Sequence, residues 1–305
     1  MSLMKIRVLS DSKPGHISQS MGLAQALVEQ GGGDISVVDI SGKGFFSRLQ
    51  LARSKQTPFP DLIIAAGHLT HLPLIYAARL CHALSILCMS PTLPCCFFDV
   101  CLIPRHDLTA KKITSSSHVF RTIGAINSIQ PCSQTLKKNT LILIGGPSKE
   151  FLWDTSHLIE QLISIAQLNN SIILTTSRRT PNDVVNAIKI ACPHIKVVPV
   201  EETQKGWMEE HLATAESIWV TEDSVSMIYE SLGTGVPVGI LGVPRKHNSP
   251  SRVAKGLSML IDEKRVTRWQ DWQLTHQLLP QTDILNESHR AARYIIQRFP
   301  QLLHS

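Results

Sequence analysis

The sequence predicts an α/β protein made of two doubly wound, Rossmann-like domains with parallel sheets. Three observations carry this prediction. Short β-branched or Leu-rich runs alternate with longer segments of helical period along almost the whole chain, the pattern of βαβ units. The alternation comes in two series, separated by a polar stretch without period. The 305 residues, 43% hydrophobic and 18% charged, exceed one ordinary core and supply enough apolar mass for two.

In the first series KIRVL, ISVVDI, DLIIAAG, LSILCMS and FDVCLIP are strand-like, and residues 16–29 and 70–83 are helical. The second opens with TLILIGGPS at 140–148. It continues through a helix at 154–168, SIILTTS, a helix at 181–191, IKVVPV, SIWVTED, a helix at 224–234 and VPVGIL. The polar stretch at 126–139, INSIQPCSQTLKKN, reads as the linker. Domains are therefore expected over 1–128 and 136–282, with 283–305 as a C-terminal helix. That helix, ILNESHRAARYIIQRF, is apolar on one face and basic on the other, and either packs on the second domain or crosses back to the first.

Composition narrows the function classes. The formal charge of +6 is dispersed, its longest basic runs being pairs such as Lys111-Lys112, Lys137-Lys138 and Arg178-Arg179. That dispersion argues against a nucleic-acid surface and suits anionic small molecules or an acidic membrane face. Seven cysteines, an odd number, lie mostly in apolar segments, as in a reduced cytoplasmic compartment. Cys88, Cys95, Cys96 and Cys101 are close in sequence, but no CxxC pair or matched histidine accompanies them, so they read as buried thiols and no metal is expected. The most apolar region, 72–103, is interrupted by Arg79, His82, Pro91, Pro94 and Asp99, too often for a span of about 20 apolar residues.

Polar residues gather where strands end, and successive parallel strands end on one rim. After the first strand, LSDSKPGHISQS places Pro14-Gly15 in a tight turn and His16 at a helix start. There His16 either acts as a base or is simply solvated, with Asp11 and Ser12 organising the turn beside Lys13. In AAGHLTHLP, Gly67 ends a strand and His68 and His71 fall three apart, a spacing that can share a helical face. Without a third ligand they read as polar lining of a cleft, not as a zinc site. IGGPSKEF offers Gly145 and Gly146, whose N–H groups can approach phosphate oxygens, and the Ser148 hydroxyl. Arg178 and Arg179, just past a strand, either grip a phosphate or form an ordinary solvated pair. In VTEDSVSMIYESLGTGVPVGIL, Asp223 is expected to cap the helix, Ser224 and Ser226 to face phosphate, and Glu222 to organise the loop or touch a sugar.

These segments resemble known families. Glu230, five residues before Gly235 of GTGVP, and the entrance PGHISQSMGLAQAL look like the peptidoglycan N-acetylglucosaminyltransferase group of GT-B glycosyltransferases. By that resemblance two Rossmann-like domains face each other across a cleft, Glu230 binds the ribose and His16 faces the reaction centre. The chain departs from that group in its Gly145-Gly146-Pro147-Ser148 loop and in Pro14. A closer match joins SDSKPGHISQSMGLAQAL, AAGHLTHLPL, PRHD, TIGAIN, GGPSK, TSRRTP and TEDSVSMIYESLGTGVPV to the mitochondrial-fission ELM-like family, which has plant and bacterial members.

The expected function is transfer of a sugar from a nucleotide-sugar, UDP-linked, to an unknown acceptor. His16 and Asp11 are the catalytic candidates, and the donor is a substrate, with no cofactor. Two alternatives stand beside it: a non-catalytic scaffold of the same fold acting through protein or membrane partners, and a sugar-nucleotide 2-epimerase. No nucleic-acid partner is expected, and the location is cytoplasmic or peripheral to the inner membrane.

Overall fold

Five-residue runs buried along their whole length, such as Leu62–Ala66, form strands covered on both faces, as helices flanking a parallel sheet require. A computed structural model describes residues 3–52, 59–111, 116–129, 131, 139–169, 171–246 and 252–303. The chain divides into two units, Met1–Ser128 with Asn286–Ser305, and Ile129–Leu285. Most of the stretch read as a linker, together with Lys112, Cys132, Lys137 and Lys138, lies outside the described residues.

The first unit runs β1 (Lys5–Ser10), α1 (Pro14–Gly31), β2 (Asp34–Asp39), α2 (Phe45–Ala52), β3 (Leu62–Ala66), α3 (His71–Cys81), β4 (Leu84–Cys88), β5 (Val100–Pro104), α4 (Arg105–Lys111) and β6 (Val119–Thr122). Its sheet has the order β2-β1-β3-β4-β5-β6, and every pairing is parallel. The second unit runs β7 (Asn139–Ile144), α5 (Thr155–Ala166), β8 (Ile172–Thr176), α6 (Asn182–Ala191), β9 (Lys196–Val198), α7 (Trp207–Thr214), β10 (Ala215–Thr221), α8 (Val225–Gly233), β11 (Val238–Leu241), α9 (Arg252–Asp262), β12 (Thr267–Arg268) and α10 (Trp269–Thr275). Its sheet, also parallel throughout, has the order β12-β11-β10-β7-β8-β9.

The last helix, α11 (Glu287–Arg298), belongs to the first unit. Asn286 caps it by accepting the His289 N–H. Ala291, Ala292 and Ile295 enter the same apolar cluster as Leu23, Ala24 and Leu27 of α1. Glu287 accepts the Ile123 N–H at 2.8 Å, and Arg290 lies 4.5 Å from the Phe120 ring centroid, so charge as well as apolar contact fixes the helix.

Strand order decides where function can sit. In each sheet the order reverses beside the first strand, between β1 and β3 and between β7 and β10. Connections leave to opposite faces there and open a crevice outside the carboxyl ends. The loops after β1, β3, β7 and β10 carry most of the polar residues singled out from the sequence; Arg178 and Arg179 follow β8, and Glu230 lies on α8.

Candidate functional site

In the second unit the loop after β7 is locked against the loop after β10. The Gly145 N–H donates to Thr221 Oγ1 at 2.7 Å and the Gly146 N–H to Asp223 Oδ2 at 3.0 Å. Arg179 donates from Nη2 to the same Asp223 oxygen and from Nη1 to the Gly146 carbonyl, both at 2.8 Å, and Thr180 Oγ1 donates to the Gly145 carbonyl. A side chain at Gly145 would run into the Asp223 carboxylate, and one at Gly146 into the backbone of Arg179. The glycines are needed for close approach, but their N–H groups are spent inside the protein. This corrects the expectation that they face phosphate.

Asp223 is corrected with them. The N-cap of α8 is Ser224, whose side chain makes no capping bond. The buried Asp223 carboxylate instead reaches Gly146 and Arg179, a charge-assisted pair that outweighs a local cap. Its Oδ1 is buried without a hydrogen-bond partner among the described residues. Arg179 is therefore part of the clamp, while Arg178 is exposed and makes no side-chain hydrogen bond among them. Ser148 Oγ accepts the N–H groups of Glu150 and Phe151 at 3.2 Å and so closes its own turn.

The start of α8 is open. Ser224 is buried and Ser226 exposed, and the first-turn N–H groups have no carbonyl behind them. Glu222 accepts the Val243 N–H at 3.3 Å and lies 3.8 Å from Arg245, so it organises the loop after β11. Burial raises its carboxyl, and Arg245 and that N–H pull the other way. It also lines a cavity of about 540 Å³ with His157, Arg245 and Trp269.

Glu230, on α8, is half-buried and makes no hydrogen bond or ion pair among the described residues. Burial, and then the negative charge of Glu209, pushes its carboxyl up from 4.5 to about 7. Such a group is costly to bury unless something bonds it.

In the first unit Pro14 and Gly15 are already the first turn of α1, not a turn before it, and Lys13 is the N-cap. Gly15 faces open space. His16 Nδ1 lies 2.9 Å from Asp11 Oδ2 and 3.0 Å from Oδ1. The Asp11 side chain is buried, and Lys13 Nζ is 3.9 Å from it. Gly67, at φ +92°, lies under the imidazole, where any side chain would displace the ring. With Nδ1 held by the carboxylate, Nε2 is the nitrogen free to exchange a proton.

His68 and His71 separate. His68 is exposed and opens a 3-10 turn, whereas His71 is buried, 3.0 Å from Thr92 Oγ1 and edge-on to Phe98. The change from a 3-10 turn to α-helix between them breaks the shared face that their spacing predicts. Among the described residues no group of three His, Cys, Asp or Glu could hold a metal. Cys81, Cys88, Cys101 and Cys192 are buried, with burial pushing the Cys88 thiol up to about 12, while Cys96 is exposed. No helix among the described residues is long and apolar enough to cross a membrane.

Sequence reasoning passed over Thr221 and Thr180, the hydroxyls that hold Gly145. Their signal was positional: Thr221 ends β10 beside Glu222, and Thr180 follows Arg179 in the loop after β8, each next to a residue already suspected. It also passed over Glu209, which faces Glu230 from the preceding helix and appears in sequence only as part of an exposed acidic pair.

The geometry can be set beside known proteins. Protein RP120 of Rickettsia prowazekii is 24% identical over 322 residues, covering 86% of this chain and 89% of that protein. A UDP-GlcNAc 2-epimerase from Neisseria meningitidis, solved bound to UDP-GlcNAc, superposes with TM-score 0.55 at 10% identity, covering 98% of this chain and all of that one. The ADP-heptose LPS heptosyltransferase II of Escherichia coli gives 0.50 at 11% identity over 86% of this chain and all of its own. The two parallel six-stranded sheets are thus the GT-B fold of glycosyltransferases and sugar-nucleotide epimerases. Residues 14–299 match the family model for mitochondrial fission ELM1, and the chain belongs to that family.

Proposed function

We propose that the protein is a glycosyltransferase whose second unit holds a nucleotide-sugar, uridine-linked, and whose His16 deprotonates an acceptor hydroxyl. Glu230 carries the reading. A ribose diol offers two hydroxyl donors to a carboxylate that has no hydrogen-bond or ion-pair partner among the described residues, and bonding them offsets the cost of its burial. The open N-terminus of α8, with Ser224 and Ser226, supplies donors for the diphosphate, and Arg178 adds charge. In this reading the glycine loop does not cradle phosphate. It fixes the ends of β7 and β10, so that α8 starts in a defined place.

On the acceptor side, Asp11 accepts the Nδ1 proton of His16 and leaves Nε2 basic. Nε2 takes the hydroxyl proton as the acceptor oxygen bonds to the anomeric carbon. The bond from that carbon to the diphosphate oxygen breaks, and the nucleoside diphosphate leaves with the electron pair. The step asks for no cofactor beyond the donor. Calorimetric titration with UDP and ADP tests the reading: saturable binding of UDP is expected, and absence of heat with either up to millimolar concentration contradicts it.

A second reading, a scaffold that keeps the fold without turnover, is favoured by one observation, the internal use of both glycine N–H groups. Transfer or hydrolysis of a UDP-sugar by the purified protein excludes it. Exchange of the sugar C2 proton with deuterated solvent would instead favour epimerisation.

A further inference from the structure

The first unit carries an apolar surface that its own core does not use. α3 buries Leu74, Ile75, Ala77, Ala78 and Cys81, and turns Leu72, Tyr76 and Leu80 outward, four residues apart along one stripe. These three are 49, 37 and 45% exposed. α2 packs on α3, its Ala52 in the same cluster as Leu74 and Ile75, and exposes Phe45 and Phe46 at 49 and 82%. Both helices return from the carboxyl rim of a parallel sheet to its amino rim, so their first residues, Phe45, Phe46 and Leu72, lie towards one rim.

The charge around this surface is mainly positive. Lys43, Arg48 and Arg79 lie on or beside the two helices, and the sequence between Ser41 and Phe98 contains a single carboxylate, Asp61. That carboxylate accepts the Lys5 N–H at the start of β1, the amino rim. Asp39, just before the stretch, is exposed; it accepts from Ser41 and Ser12, and the nearby Lys43 charge also lowers its carboxyl. Aromatic and leucine side chains flanked mainly by cations complement a layer of lipid phosphates above hydrocarbon.

We propose that the outer face of α2 and α3 docks the protein onto an anionic bilayer. Phe45, Phe46, Leu72, Tyr76 and Leu80 enter the interface, and Lys43, Arg48 and Arg79 meet the phosphates. The proposal does not rest on the donor reading. Co-sedimentation of the full chain with phosphatidylglycerol-rich vesicles, against phosphatidylcholine vesicles, tests it. Binding to the anionic vesicles only, weakened by salt, is expected. Phe46→Glu and Leu80→Glu should each lower the partition about tenfold, the loss of one large buried side chain. Their melting should not change, since both side chains are exposed, and Leu168→Glu, at an exposed site of the second unit, should bind like the parent. No partition of the parent, or equal partition of parent and variants, overturns the proposal. So does a parent that self-associates without binding vesicles and becomes monomeric with Phe46→Glu, which assigns the face to a second copy.

Discussion

The loops after β1 and β7 hold the same place in their sheets, each following the first strand beside the point where strand order reverses, yet they are used differently. After β1, a buried carboxylate holds one nitrogen of His16 and leaves the other without a partner among the described residues. After β7, both glycine N–H groups, the carbonyls beside them and one fork of Arg179 are satisfied within the protein. One strand end keeps a reactive group available, and the other is closed into a clamp. A glycine pair at a first strand end is therefore a sign of close backbone approach, and phosphate is one of several things that can approach.

The comparison is sharpened most by His16→Ala. If the β1 loop serves chemistry, this change should lower transfer by about 10²- to 10⁴-fold, the usual contribution of a positioned base. Its stability should fall by about 1 to 3 kcal/mol with the native fold retained, because the buried Asp11 carboxylate loses its imidazole partner. Unfolding together with loss of activity would make it a structural histidine.

The clamp should answer mainly in stability. Gly146→Ala forces a methyl into the Arg179 backbone and is expected to destabilise the second unit by about 3 kcal/mol, measured by denaturant unfolding. Asp223→Ala leaves the Gly146 N–H and the Nη2 of a half-exposed Arg179 without their acceptor and should cost about 2 kcal/mol. If either variant kept parental stability while losing nucleotide affinity, the loop would be a phosphate cradle after all.

These partners explain why some of the molecule was legible in the sequence and some was not. Strands such as β3, β4 and β5 show as apolar runs because both their faces are covered, and α1, α5 and α8 show by period. α10 did not, since its seven residues are held by Trp269 and Trp272 packing on Trp219 and not by a repeating face. α2 was missed for the reason that makes it interesting: its aromatic residues point outward and blur the period. Asp223 was read as a cap because only its neighbours were visible, whereas its bonding partners lie 77 and 44 positions away. Glu230 was legible by resemblance, but its unpartnered, half-buried state required the fold.

Another effect concerns pH. The Glu230 carboxyl is raised from 4.5 to about 7, so the burial cost is absent below 4.5 and complete above about 7. Stability of the parent should fall relative to Glu230→Gln as pH rises through this window, by about 3 kcal/mol at about pH 8, and the two should agree near pH 4. A saturating ligand that bonds the carboxylate should narrow the gap. Smallest of all, Ser224→Ala should weaken nucleotide binding by less than about 1 kcal/mol, because the N–H groups of α8 remain.

Titration of the parent and of Glu230→Ala with UDP tests the central claim most directly. The variant should bind about 1 to 3 kcal/mol more weakly, the loss of hydrogen bonds to a charged acceptor, while melting no lower than the parent near neutral pH. Equal affinity with equal melting would contradict the claim and leave α8 without a ribose to hold.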